Sequence, residues 1–298
     1  MERHIRPLVA LRCGLCFLGL IGPFRVCSGQ TQADIPHPWR PAPVADTVVQ
    51  RFPPSSGYAR AVVPGATFAA WLRRLPLLPG KPAVRLFDGS LKSNQAAHAA
   101  VFDVDVGVRD LQQCADAVMR LRAEYLRAAG AESQICFRFT DGTDAVWLDW
   151  RDGYRPRARD KQMVFAPGSK KDASYQSFRK YLDVVFSYAG SMSLHKELQR
   201  VTDPKRVEPG DVFIKGGFPG HAVIVVDVVT RADGDRMFLL AQSYMPAQQV
   251  HVLNNPRSQH AWYRTSVDGS LTTPEWVFPA GSLHRFPERK CSSARRTL

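Results

Sequence analysis

Residues 210–228 read GDVFIKGGFPGHAVIVVDV: a short apolar run, a glycine-rich turn, then a longer apolar run that opens on His221. Valine and isoleucine bounded by glycine and proline predict two neighbouring strands, and the unbroken second run predicts a strand buried on both faces. No water reaches such a strand to solvate an imidazole. His221 is therefore either a neutral core residue making one hydrogen bond, or an edge residue with a partner. Gly220 before it carries no Cβ and lets another backbone or a ligand come close.

Working outward, the turn at residues 232–235 leads into a strand over 237–242 that ends at Gln242, and residues 249–253 supply another. Upstream, residues 175–188 have the periodicity of an amphipathic helix. Residues 135–139 and 145–150 flank the turn Asp141-Gly142-Thr143-Asp144 and predict a hairpin. Residues 111–129 form a long helix capped by Asp110 and stopped by Gly130. Strands over 83–87 and 99–106 and a helix over 67–75, ended by Pro76, complete the pattern. Helices come first and antiparallel strands dominate later, so the class is α+β, one domain over 57–287.

The flanks differ from this domain. Residues 1–29 have a basic start (Arg3, His4, Arg6), an apolar middle and a small-residue exit, the order of a signal peptide. Six prolines between 36 and 54 mark residues 30–56 as a linker or extended arm. Residues 288–298, with Arg289, Lys290, Arg295 and Arg296, read as a basic disordered tail. No later segment has the roughly 20 apolar residues a spanning helix needs.

Lys and Arg total 40 against 27 Asp and Glu, a formal charge of +13. The charge favours anionic surroundings, but no stacking aromatics interleave with the basic residues, so a nucleic-acid partner is not favoured. There is no CxxC pair and no Cys/His cluster at zinc spacing, so neither a metal nor a cofactor is expected. Removal of the leader leaves Cys114, Cys136 and Cys291 for certain, an odd set with at least one thiol unpaired within the chain.

Cys114 is the candidate partner for His221. It lies in the first turn of the long helix, where the helix dipole favours thiolate. An imidazole beside it can accept the thiol proton, as covalent acyl transfer requires. Gln242, at the end of the strand antiparallel to that of His221, can hold the ring in one tautomer, and Gln113 can offer an N–H to a developing oxyanion. Taken singly, each residue also reads as ordinary: a small core cysteine, a strand-end glutamine, a surface glutamine.

From Phe68 to about Phe286 the chain resembles a bacterial family, domain of unknown function 4846. The residues that carry the resemblance are Trp71-Leu72-Arg73-Arg74-Leu75-Pro76-Leu77, residues 110–126 and the 210–228 stretch. More remotely it is similar to papain-like amidases of the CHAP and NlpC type, which cleave cell-wall peptides. Their order of helix cysteine, GD strand, glycine-histidine and partner-strand polar residue is matched by Cys114, Asp211, Gly220-His221 and Gln242. That similarity implies a papain-like arrangement and an exported cysteine amidase or peptidase. The spacing from Cys114 to His221 is longer than such domains use, and glutamine replaces their usual third residue. The competing expectation is a non-catalytic envelope domain that meets an anionic polymer through its basic surface.

Overall fold

A computed structural model describes residues 35–40, 46–264, 266, 268–288, 291–293 and 295; the expected signal peptide lies outside them. The helices are α1 (Val48–Arg51), α2 (Phe68–Arg73), α3 (Cys114–Ala128), α4 (Trp147–Arg151), α5 (Tyr175–Tyr188) and α6 (Ser191–Glu197). The main sheet holds β1 (Tyr58–Arg60), β2 (His98–Val101), β3 (Gln199–Arg200), β4 (Val212–Lys215), β5 (His221–Arg231), β6 (Arg236–Gln242), β7 (His251–Leu253) and β8 (Leu283–Arg285). Its order is β2-β7-β6-β5-β4-β8-β3, with β1 pairing the far half of β5, and all its pairings are antiparallel. The class is α+β, as the order of elements predicts.

Strand β5 lies at the centre, buried on both faces. Ala222, Ile224 and Val226 belong to one apolar cluster, which includes Val118 and Leu121 of α3 and Phe178 and Leu182 of α5. Val223 and Val225 face the other way, into a second cluster with Phe213, Phe238, Tyr263 and Phe278. The period-2 alternation of a strand makes this division. Two covered faces also explain why the stretch reads as a continuous apolar run and not as an alternating one.

Several local expectations need correction. The pattern makes residues 145–150 the second half of a hairpin, but only Asp144–Val146 pairs with Cys136–Arg138, and α4 follows at once. Trp147 and Trp150 fall three apart, and a helical turn lays both rings on Tyr181 of α5, with centroids 5.6 and 6.1 Å away. Helix α3 starts three residues later than Asp110 suggested: Gln113 is the N-cap, and its backbone N–H donates to Asp116 at 3.1 Å. Residues 83–87 are held by isolated bridges rather than a strand.

The arm at residues 35–40 packs on α2. Trp71 donates to the Pro36 carbonyl at 3.3 Å, and Trp39 stacks edge-on against it. The described part of the basic end is anchored and does not fit the reading of a disordered tail. Cys291 forms a disulfide with Cys136, and Arg295 pairs with Asp149 and Asp152, each at 2.6 Å. That bond leaves Cys114 as the free cysteine among the described residues.

Candidate functional site

The start of α3 is fastened to the open end of the sheet. Ser243, directly after β6, has its hydroxyl 2.9 Å from the Gln112 and Gln248 carbonyls. The Asp110 carboxylate accepts from the Ala247 N–H at 2.7 Å. These contacts bring Cys114 to the first residues of β5, where the Ala222 backbone N–H donates to its sulfur. The sequence candidates Cys114, His221 and Gln242 therefore meet at one end of one sheet.

Their interaction is more specific than residue type could reveal. His221 is 0% exposed, and its Nε2 lies 2.9 Å from Gln242 Oε1. The ring packs among Tyr244, Trp276 and Phe278, on the face that also carries Val223 and Val225. Its Nδ1 has no hydrogen-bond partner among the described residues. Cys114 approaches the strand at its main chain, and the thiol makes its bond to the Ala222 amide, not to the imidazole. The sulfur thus meets the residue after His221, and no hydrogen bond joins thiol and imidazole among the described residues.

Electrostatics corrects the expectation of a thiolate. Burial, reinforced by the Asp116 carboxyl two residues on, pushes the Cys114 thiol up to about 11. Burial also pushes His221 down to about 4, against the opposing effect of its bond to Gln242. A helix N-terminus contributes only about 0.3–1 kcal/mol to an anion, whereas removing a charge from water costs several kcal/mol. Desolvation wins, and the resting pair is neutral thiol and neutral imidazole.

Gln113 does not point a free amide at the thiol: its Nε2 donates to Asp110 at 3.0 Å. Gln112, one residue before the N-cap, is 1% exposed. Its Oε1 accepts from Arg120 at 2.6 Å, and its Nε2 has no partner among the described residues. Asp211 of the GD strand is itself buried and pairs with the partly exposed Arg285 at 2.6 Å, a structural role. Gly220 sits where an added Cβ would overlap the Ser191 hydroxyl and the Gly217 and Lys215 carbonyl oxygens, so the close approach its sequence position suggested is made by this chain's own α6 side chain and backbone.

Sequence reasoning also missed what surrounds Gln242. Its Nε2 donates to Glu275 at 2.7 Å and lies 3.4 Å from His251 Nε2, while Lys92 pairs with Glu275 at 2.7 Å. No short-range motif connects Lys92, Gln242 and Glu275; the only signals are a lysine and a glutamate set in otherwise apolar or turn-forming surroundings. Among the described residues no group of His, Cys, Asp and Glu is disposed to hold a metal ion, and no helix is long and apolar enough to cross a membrane.

Fold and site together define an α+β domain with a thiol, an imidazole and an oriented amide at one sheet end. The family model for domain of unknown function 4846 matches residues 48–285, and the chain belongs to that family. No curated protein and no solved structure matches the chain.

Proposed function

We propose that this domain is a cysteine amidase or peptidase acting outside the cytoplasm on cell-wall or related peptides, with Cys114 as nucleophile, His221 as base and Gln242 as orienter. One observation carries the reading: a fully buried imidazole whose Nε2 is held by Gln242 while Nδ1 has no partner among the described residues, with a free thiol bonded to the amide of the next residue, Ala222. Buried polar atoms are nearly always satisfied, and an exception at a titratable group marks a place where a proton is to be received. Two exposed apolar residues, Phe218 and Met245, stand on the loops before β5 and after β6, at the end where a peptide would enter.

The chemistry starts from the neutral pair. As the substrate carbonyl approaches, the thiol proton passes to His221 Nδ1 and sulfur bonds to the carbonyl carbon. The tetrahedral oxyanion collapses, the C–N bond breaks, and His221 returns the proton to the leaving amine. Water then adds to the thioester, with His221 again taking and returning a proton, and the acid is released with the thiol restored. Export is supported by the leader-like residues 1–29 and by the Cys136–Cys291 disulfide, a bond that persists in oxidising compartments.

A second reading, a non-catalytic envelope domain that binds an anionic polymer, is favoured by a groove of about 730 Å³ whose lining has five basic side chains, Arg109, Arg155, Lys170, Lys171 and Lys180, against two acidic ones, Asp172 and Asp183, the latter paired with Arg109. The raised thiol and the missing Cys114–His221 hydrogen bond favour it as well. Alkylation of Cys114 by iodoacetamide in the folded protein separates the two. The catalytic reading expects His221→Ala to slow the reaction tenfold or more near neutral pH, and Gln242→Ala to slow it less. A rate that ignores His221→Ala overturns it and leaves the binding domain.

A further inference from the structure

We infer that Glu275, held in place by Lys92, is a positioning residue that sets the tautomer of His221 through the side-chain amide of Gln242. The inference rests on His221 serving as the base proposed above. The geometry leaves the amide one choice. His251 Nδ1 lies 2.9 Å from the Gln249 carbonyl, so that nitrogen carries the proton and Nε2 presents a lone pair. Gln242 Nε2 faces that lone pair at 3.4 Å and the Glu275 carboxylate at 2.7 Å. Both neighbours accept, so the NH₂ end of the amide must face them and Oε1 must face His221. An oxygen 2.9 Å from His221 Nε2 requires the proton there, which leaves Nδ1 as the lone pair that a thiol proton needs.

Glu275 is built to stay where it is. Lys92 contacts both carboxylate oxygens, at 2.7 and 2.9 Å, and its side chain is 4% exposed. The turn carrying Glu275 is closed by Thr273, whose N–H donates to the Trp276 carbonyl at 2.8 Å and whose hydroxyl accepts from the Trp276 N–H at 3.0 Å. Trp276 in turn lies against the His221 ring, centroids 5.2 Å apart. A flipped Gln242 would set its oxygen against the carboxylate and move the His221 proton to Nδ1, the form that cannot accept one from sulfur.

The test is the two-bond ¹H–¹⁵N ring spectrum of His221 in the ¹⁵N-labelled full chain at neutral pH, with the Cys114 alkylation rate as second readout. Wild type is expected to be Nε2-protonated. Glu275→Gln should bring in the Nδ1-protonated form and slow alkylation several-fold, and Glu275→Asp should restore most of the wild-type signature. Because Glu275→Gln leaves Lys92 buried without its counter-ion, the double variant Lys92→Met/Glu275→Gln repeats the measurement with both charges removed. A wild-type His221 protonated at Nδ1, or a wild-type spectrum in the Gln and double variants, overturns the inference. An unchanged tautomer together with alkylation that depends on His221 removes Glu275 alone. A shifted tautomer together with alkylation indifferent to His221→Ala upholds Glu275 as the tautomer-setting residue and removes the catalytic reading alone.

Discussion

Strand β5 carries two buried ionisable side chains, Asp227 in its middle and His221 at its mouth, and each is 0% exposed. Asp227 is surrounded: Arg60 and Arg73 each pair with it at 2.6 Å, and the Val228 N–H donates at 2.8 Å. His221 is half satisfied, one nitrogen bonded and the other bare. A buried charge with every oxygen engaged joins β1 and α2 to the sheet, and its burial is compensated by two guanidinium groups. A buried base with one idle lone pair has no such compensation and stays neutral instead. The difference separates a residue that holds the fold from one available for chemistry.

The largest effect that sharpens this contrast is Asp227→Ala. It strands two largely buried arginines, and breaking a buried pair costs about 3–5 kcal/mol, against about 1–3 for His221→Phe, which leaves only the Gln242 oxygen unpaired. Urea denaturation of both variants checks the ranking, and equal losses would break the comparison.

Next in size is the pH response of the half-satisfied side. His221 falls from 6.5 to about 4 and His251 to about 3. A base whose folded pKa is lowered binds fewer protons folded than unfolded between those values, so stability rises with pH through that window. The contribution is complete above about 6.5 and is lost as pH falls toward 4 for His221 and toward 3 for His251, on the order of 3 kcal/mol for the first and 5 kcal/mol for the second. His37 is lowered to about 4 by burial as well, so His221→Phe should remove about a third of the slope these three histidines give to urea midpoints taken across the window. A slope the variant leaves intact would mean His221 titrates normally.

The smallest expected effect is Gly220→Ala. Overlap with the Ser191 hydroxyl and the Gly217 and Lys215 carbonyls should cost about 1–3 kcal/mol and disturb the His221 ring signals while leaving amide protection at the Asp227 end of β5 unchanged. Amide exchange along β5 measures both ends at once.

Much of this molecule is written in short-range pattern. The continuous apolar run of β5, the periodicity of α5 and the antiparallel partner that puts Gln242 within reach of His221 all follow from alternation, helical spacing and turn residues, which act over a few positions. Cys114, His221 and Gln242 could be named from such signals. Tertiary contacts decided the rest. Trp147 and Trp150 form a helix because α5 supplies the rings they pack on, and Asp227 finds Arg60 and Arg73 from remote segments. Glu275 and Lys92 reach Gln242 through loops with no periodicity to read. The sequence alone determined which residues could do chemistry at the sheet end. Only the packed structure decided their protonation, because desolvation depends on what surrounds a group from every side, and burial outweighs the helix dipole that the local sequence advertises.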